Sequence, residues 1–521
     1  MDSKQLYAGW ARQDLTPDRP VRLYGQFIER ISESVESPVL ATALAIECGL
    51  DQMILCACDL ADITHDLADA VRQTIQERLP EFPVTKLILA ATHTHTSLQY
   101  DRPDPAAGNT LDILQHYLVQ MVTSNQDEAS DAAQPNEAEP AKAGNFTESN
   151  HDVMSDQEAR LWLIDRISRA STDAWQNRRP ARMVNAFGRA VVGHCRRVVY
   201  DDGSSRMWGD TSLANFAELE GGSDSGLELL YFCDDSGQLT GVVANLACPA
   251  QTVQHRRFIS ADFWGKARLL VQKQLGTTIH LLPLCSAAGD QCPVDLIRWV
   301  EPLEPLDDPN ITRHDPPERT ADYSMFDLSG CWQAGWRIAS EIIAAWQRID
   351  AADWQSEPDF KHWVCDLSLP VRRVSLVDYA KAKKALSDFA RDAAGRQLDF
   401  HDNAQMHVHA GIMARYAYQQ HSALQQVEVH AVRIGQIVLV TNPFELFLNY
   451  GNQIKARSRA RQTLIVQLAC DSLGYLPTCR AEDGGHYSAY VSSGLVGHEG
   501  GDLLVRHTLD LIRQLFVTPD S

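Results

Sequence analysis

Two histidines one residue apart, His93 and His95, stand in "LILAATHTHTSLQY" (Leu87–Tyr100), where a run of apolar strand formers gives way to threonines. Neutral imidazoles so placed can share one divalent metal, or one can hold the metal while the other hydrogen-bonds a substrate. In an extended chain, residues i and i+2 face the same side. Both rings are therefore expected at the carboxyl end of a strand, where α/β proteins gather their sites. The alternative is a threonine-flanked pair satisfied by backbone, and the pair alone does not decide between them.

Three further stretches carry residues of the right kind. In "CSAAGDQCPVDL" (Cys285–Leu296), small residues lead through Gly289, Asp290 and Gln291 to Cys292 and Pro293. The glycine permits a tight corner and the proline blocks strand continuation, which predicts Cys292 on an exposed elbow. Beside a metal or an oriented base such a thiol would ionise and act as a nucleophile; a buried structural thiol is the other reading. In "TNPFELFLNYGNQIKARSRAR", Asn442 suits an N-cap, Pro443 the first helical position and Glu445 the first turn. Lys455, Arg457, Arg459 and Arg461 fall at or beyond the last turn, where they complement the helix dipole. Glu445 is then either an ordinary first-turn carboxylate or a metal ligand aimed from a strand-to-helix turn. In "CDSLGYLPTCRAEDGGHYSAY", Tyr475 follows a glycine in an irregular segment.

The elements that must position these residues read as α/β. "LATALAIEC", "MILCACDL" and "VTKLILAA" are predicted strands and "DLADAVRQTIQERL" an amphipathic helix. Further on, "LELLYFCDD", "GQLTGVVANLAC" and "TIHLLPLCSAAGD" read as strands, Gly330–Arg348 and Leu376–Ala394 as helices, and the last hundred residues as strand, turn and helix. The expected architecture is one large catalytic domain of mixed β-sheet flanked by helices. Residues 1–122 form its first part and 158–521 the remainder. Between them, 123–157 is rich in carboxylates and poor in large apolar residues, which predicts a disordered insertion. It ends at Ser155-Asp-Gln-Glu158, a capping box before the next helix.

With 521 residues, 44% of them hydrophobic, the chain has material for a large core. A net charge of −21 disfavours nucleic acid and anionic membrane surfaces as partners. No run of 18 apolar residues predicts a transmembrane helix, so no integral membrane association is expected. No secretory signal is apparent, and the 12 scattered cysteines read as reduced thiols, which together predict a cytoplasmic protein.

Taken in order, the four stretches resemble the neutral (non-lysosomal) ceramidase family in its catalytic N-terminal domain. The resemblance runs from "AGWARQDLTP" to the final helix, and Thr92-His93-Thr94-His95 and "AAGDQCP" are its most distinctive parts. It implies a zinc-dependent amidase whose metal is held by two histidines, a glutamate and a tyrosine. By position, His93 corresponds to the first zinc ligand, with His95 as its substrate-facing neighbour. Glu445 in "NPFEL" and Tyr475 in "GYLPT" correspond to the glutamate and tyrosine ligands. Tyr475 is also a candidate donor to an oxyanion, and Asp290 a catalytic candidate from the Gly-Asp-x-Ser-Pro motif. Cys292 falls where the family has its serine nucleophile, so either a thiol attacks or Cys292 only lines the site.

Two departures stand out. The family's second zinc histidine is expected near residues 248–250, in "NLACPAQTVQHRRFISADFWG", where no histidine occurs. Cys248, Gln251, His255 and, from "VGHCRRVVY", His194 are the candidates to replace it. The chain is also expected to lack the immunoglobulin-like domain that follows in long ceramidases. The expected function is hydrolysis of an amide or related acyl bond in a small soluble substrate rather than membrane ceramide. Competing readings are metal-assisted carbohydrate lyase or isomerase chemistry on the same scaffold, and a binding protein whose catalysis has lapsed.

Overall fold

The computed structural model describes residues 4–102, 113–114, 117, 152–300, 320–322, 327–393, 396 and 398–517. Most of the acidic stretch 123–157 lies outside these residues. The described chain resumes at Asp152 and enters its next helix through the expected capping box, with both the Ser155 and the Glu158 side-chain bonds made.

Twelve strands form two mixed sheets. The first holds β1 (Leu6–Asp14), β2 (Leu40–Cys48), β3 (Asp51–Cys58), β4 (Leu87–Ala91), β5 (Arg179–Arg189), β6 (Gly226–Asp234), β7 (Leu239–Leu246) and β8 (His280–Cys285), in the order β8-β7-β6-β5-β1-β2-β3-β4. The second holds β9 (Phe360–Pro370), β10 (Leu424–Ile434), β11 (Ile437–Thr441) and β12 (Gln462–Val466), in that order.

Alternation along the strands sends each side chain set to its own layer. Ala43, Ala45, Ile54 and Cys56 of the first sheet face α1 (His65–Arg78) and α2 (Asp156–Gln176). Leu229, Tyr231, Val242 and Ala244 face α3 (Asp262–Leu275) and α4 (Asp327–Gln347) on the same side. Their neighbours Leu44, Ile46, Leu55, Leu230 and Val243 turn the other way and meet Val432, Ile434, Leu439 and Leu464 of the second sheet. The outer face of that sheet is covered by α7 (Leu448–Arg457) and α9 (His498–Leu515). Before them come α5 (Leu376–Asp392) and α6 (Phe400–Tyr418), a helical hairpin with its own small core around Leu386 and Met406; the short α8 (Cys479–Gly484) follows α7. The mixed sheet flanked by helices that the sequence predicts is present, doubled into a helix–sheet–sheet–helix stack.

All the parallel pairings in the two sheets are made by β-α-β crossovers: β3-α1-β4, β7-α3-β8 and β11-α7-β12. Their carboxyl ends release Ala61, His93, Gln251, Gly289 and Glu445, so three crossovers deliver one site.

Two local expectations need correction. Glu445 is not in the first turn of a helix, because α7 begins only at Leu448. The backbone donors that would open such a helix are taken elsewhere. Phe444 N–H bonds the Asn442 side chain, Glu445 N–H bonds Gly474 O, and Leu446 N–H bonds the Gln467 side chain. Glu445–Leu446 instead pairs in parallel with Tyr475–Leu476. Cys292 is not on an exposed elbow either: it is 0% exposed and pairs with His194 in a two-residue ladder.

Candidate metal centre

The strand that carries the histidines ends at Ala91, and His93 then adopts a left-handed φ of 64°. This turn, rather than strand alternation, brings the two rings together, edge to face at 4.8 Å between centroids. His93 Nδ1 lies 2.5 Å from Ala61 O, and because a carbonyl only accepts, Nδ1 carries the hydrogen. The lone pair of a neutral ring is then at Nε2, buried and without a hydrogen-bond partner. It stands 3.2 Å from Glu445 Oε2, close enough for attraction but not aligned as a hydrogen bond. Burial opposes charge on His93, and the Glu445 carboxylate more than offsets this, raising its pKa.

Parallel pairing sets Tyr475 directly beside Glu445. Burial, reinforced by the Glu445 charge, keeps the Tyr475 hydroxyl protonated well beyond the usual phenol range. Tyr487, which "GGHYSAY" did not single out, packs edge to face against the Tyr475 ring at 5.5 Å. Further ring contacts run from Tyr487 to Phe27 and on to Phe400 of the helical hairpin.

The sequence reading missed the central cation. Arg196, 2% exposed, donates to Gly289 O (2.9 Å), the Tyr475 hydroxyl (3.3 Å) and Gln251 Oε1 (3.2 Å), and comes within 3.9 Å of Glu445 Oε2. The adjacent arginines in an apolar run, "HCRRVVY", were the available signal. Arg197, equally buried, points away to a salt bridge with Glu220. Gln251 completes the arrangement: with Oε1 accepting from Arg196, its amide donates to His95 Nε2 at 2.9 Å. Burial, followed by the charges of His93, Arg30 and Arg196, pushes the His95 pKa well down. Gly25, at φ 105°, presses on that ring so closely that a Cβ would lie 2.4 Å from it.

The other candidates are bonded or packed elsewhere, although the Arg196 charge reaches the Cys292 and Cys248 thiols. His255 pairs with Asp327 at 3.7 Å. Cys248 is fully buried among the residues packed between the first sheet and α3. His194 pairs with Cys292 across the short ladder. Cys292 donates to Val294 O (3.3 Å) within a small apolar cluster, and burial pushes its thiol up to about 12. Asp290 accepts the Leu448 N–H at 2.8 Å, holding the start of α7 against the Gly289 corner. There a Cβ on Gly289 would lie 2.2 Å from Glu445 O. Gln467, also missed, accepts from Ala288 and Leu446 and stitches that corner to the Glu445 strand.

His93 Nε2, the Glu445 carboxylate and the Tyr475 hydroxyl thus converge as one nitrogen and two oxygen donors. A catalytic zinc site takes three protein ligands and keeps a fourth position open, and the unsatisfied buried nitrogen of His93 would suit such a ligand. The Ala61 carbonyl supplies the partner that such a histidine needs on its other nitrogen.

No protein-family model matches the sequence, and no curated protein matches it. Among solved structures, the chain is similar to the neutral ceramidase of Pseudomonas aeruginosa, with a TM-score of 0.61 and 16% identity over 100% of this chain and 76% of that one. A structure described as ceramidase complexed with C2 gives a TM-score of 0.61 and 14% identity, covering 99% and 77%. The likeness is one of fold along the whole chain.

Proposed function

With a neutral ceramidase-like fold as the premise, we propose that this chain is a zinc-dependent hydrolase that cleaves an amide or related acyl bond in a small soluble substrate. The observation that carries the proposal is the unsatisfied Nε2 of His93, facing Glu445 beside Tyr475. His93, Glu445 and Tyr475 would hold the metal. When bound, zinc supplies a Lewis acid for the scissile carbonyl and lowers the pKa of a water toward about 7.

The chain's own residues account for the rest. Arg196 is a fixed cation beside the donor set, positioned to stabilise negative charge that develops on the substrate carbonyl oxygen. Its position is held by Gln251, and Gln251 by His95, so His95 acts as a positioning residue through this relay. Tyr475 and Tyr487 keep their protons and can donate to the same oxygen. Cys292 is assigned no nucleophilic role, because its thiol is pushed up to about 12 and its hydrogen goes to a backbone carbonyl. Water is the proposed nucleophile. A soluble substrate suits a chain of net charge −21 better than an anionic bilayer.

The test is a panel of N-acyl amines and simple esters offered to zinc-loaded protein, with ¹⁸O water to detect hydrolysis. Turnover with ¹⁸O in the released acid, lost in Glu445→Ala, is expected. Turnover without solvent oxygen, or unaltered by Glu445→Ala, would overturn the reading.

A further inference from the structure

A second set of donors converges where the edge strand β4 meets the second sheet. Glu428 and His430 are two residues apart on β10 and share a face. Cys470 follows β12, and its N–H bonds Leu89 O of β4 at 2.9 Å. His430 Nε2 lies 2.9 Å from Glu428 Oε1 and 3.7 Å from Cys470 Sγ, with His430 and Cys470 each 1% exposed.

Hydrogen-bond direction fixes where the hydrogens are. His362 Nδ1 is 3.2 Å from Gln52 O, and since the carbonyl can only accept, Nδ1 carries hydrogen. The neutral ring then offers its lone pair at Nε2, to which His430 Nδ1 donates at 2.9 Å. That leaves the His430 lone pair at Nε2, aimed at a carboxylate oxygen. Arg72 pairs with both oxygens of Glu428, at 2.5 and 3.1 Å, so the carboxylate is held as an anion. Two acceptors 2.9 Å apart repel unless a positive charge sits between them.

A proton would account for that one contact; it does not by itself bring Cys470 Sγ, which also meets Leu87 O at 3.7 Å and the Leu89 N–H at 3.5 Å, to the same nitrogen. A tetrahedral zinc with N and O bonds of about 2.0–2.1 Å and an S bond of about 2.3 Å has edges of about 3.3 Å between N and O and about 3.6 Å between N and S. Here the N···S separation, 3.7 Å, is close to its edge, and the N···O separation, 2.9 Å, is shorter than its edge. We infer that Glu428, His430 and Cys470 hold a thiophilic divalent cation of the zinc class, which ties the edge of the first sheet to the second. His362 orients His430 as its outer hydrogen-bond partner. Binding replaces the Cys470 thiol proton, which leaves to solvent.

Cobalt(II) is the probe, because a thiolate ligand gives a near-ultraviolet charge-transfer band and the His93 centre contains no sulfur. The full chain is stripped with a chelator and loaded with cobalt. The band is expected in wild type and in Glu445→Ala, and is expected to vanish in Cys470→Ser. Metal analysis should find about one equivalent of zinc kept in Glu445→Ala and lost in the double variant with Cys470→Ser. A cobalt-loaded wild type without the band overturns the inference even if Cys470→Ser does not fold. A band that persists in Cys470→Ser, or a zinc-free Glu445→Ala protein, also overturns it and leaves a shared proton between His430 and Glu428.

Discussion

His93 Nε2 and Glu445 Oε2 lie 3.2 Å apart, delivered by two different sheets and separated by more than three hundred residues of chain. Neither atom is spent on structure: the imidazole is oriented through its other nitrogen, and the glutamate through its backbone pairing. His93→Ala and Glu445→Gln are each expected to reduce kcat/KM by on the order of 10³-fold and to lower the bound zinc from about two equivalents per chain to about one. Circular dichroism should remain native. Full activity in either variant would remove the pair from the reaction.

Arg196 gives a second, separable prediction. Arg196→Gln removes the charge beside the donor set and is expected to cost about 10²–10³-fold in kcat while bound zinc is retained. Arg196→Lys keeps the charge but loses the fork that spans Gln251, Gly289 and Tyr475, so it should recover only part of the rate. Assaying the three proteins side by side, with metal content determined on each, makes the check. Loss of metal in Arg196→Gln would make the arginine a structural support instead.

Most of the layered fold could be read from sequence, because strand alternation and the long amphipathic helices are local signals. Leu40–Cys48, Gly226–Asp234 and Leu376–Asp392 fall where the pattern puts them. The site was legible only where residue type alone is informative, as at His93 and Glu445. The turn that joins the histidines depends on the left-handed φ of His93, which no side-chain pattern announces. The helix predicted to begin near Asn442 was displaced by long-range partners, Gly474 and Gln467, that lie more than twenty residues downstream. The role of Arg196 was missed for the same reason. Its partners Gln251, Gly289 and Tyr475 come together only when the crossovers are assembled.

Cys292 separates thiol chemistry from water chemistry. A thiol pushed up to about 12 and bonded to Val294 O is almost wholly protonated at neutral pH. Cys292→Ala is therefore expected to keep kcat within about threefold of wild type, and to lose about 1 kcal/mol of stability from the small cavity it leaves. Urea unfolding and steady-state kinetics on the same preparation measure both. Abolished turnover in a folded Cys292→Ala protein would restore the cysteine as the nucleophile.

His280 supplies the pH dependence. Its ring stacks on Trp10 at 5.6 Å, and burial, aided by the Arg12 charge, lowers its pKa from 6.5 to about 4. The folded state therefore prefers the neutral ring. As pH falls below 6.5 the unfolded chain takes up a proton that the folded chain does not, so stability declines progressively down to about pH 4 and is fully present above 6.5. A shift of this size corresponds to about 3 kcal/mol. His280→Phe keeps the stack on Trp10 and cannot titrate. The drop in Tm between pH 7 and pH 4.5 is expected to be smaller in this variant than in wild type, with the remainder owed to groups such as His486, whose pKa is also lowered to about 4. Equal drops in the two proteins would show that the acid sensitivity does not reside at His280.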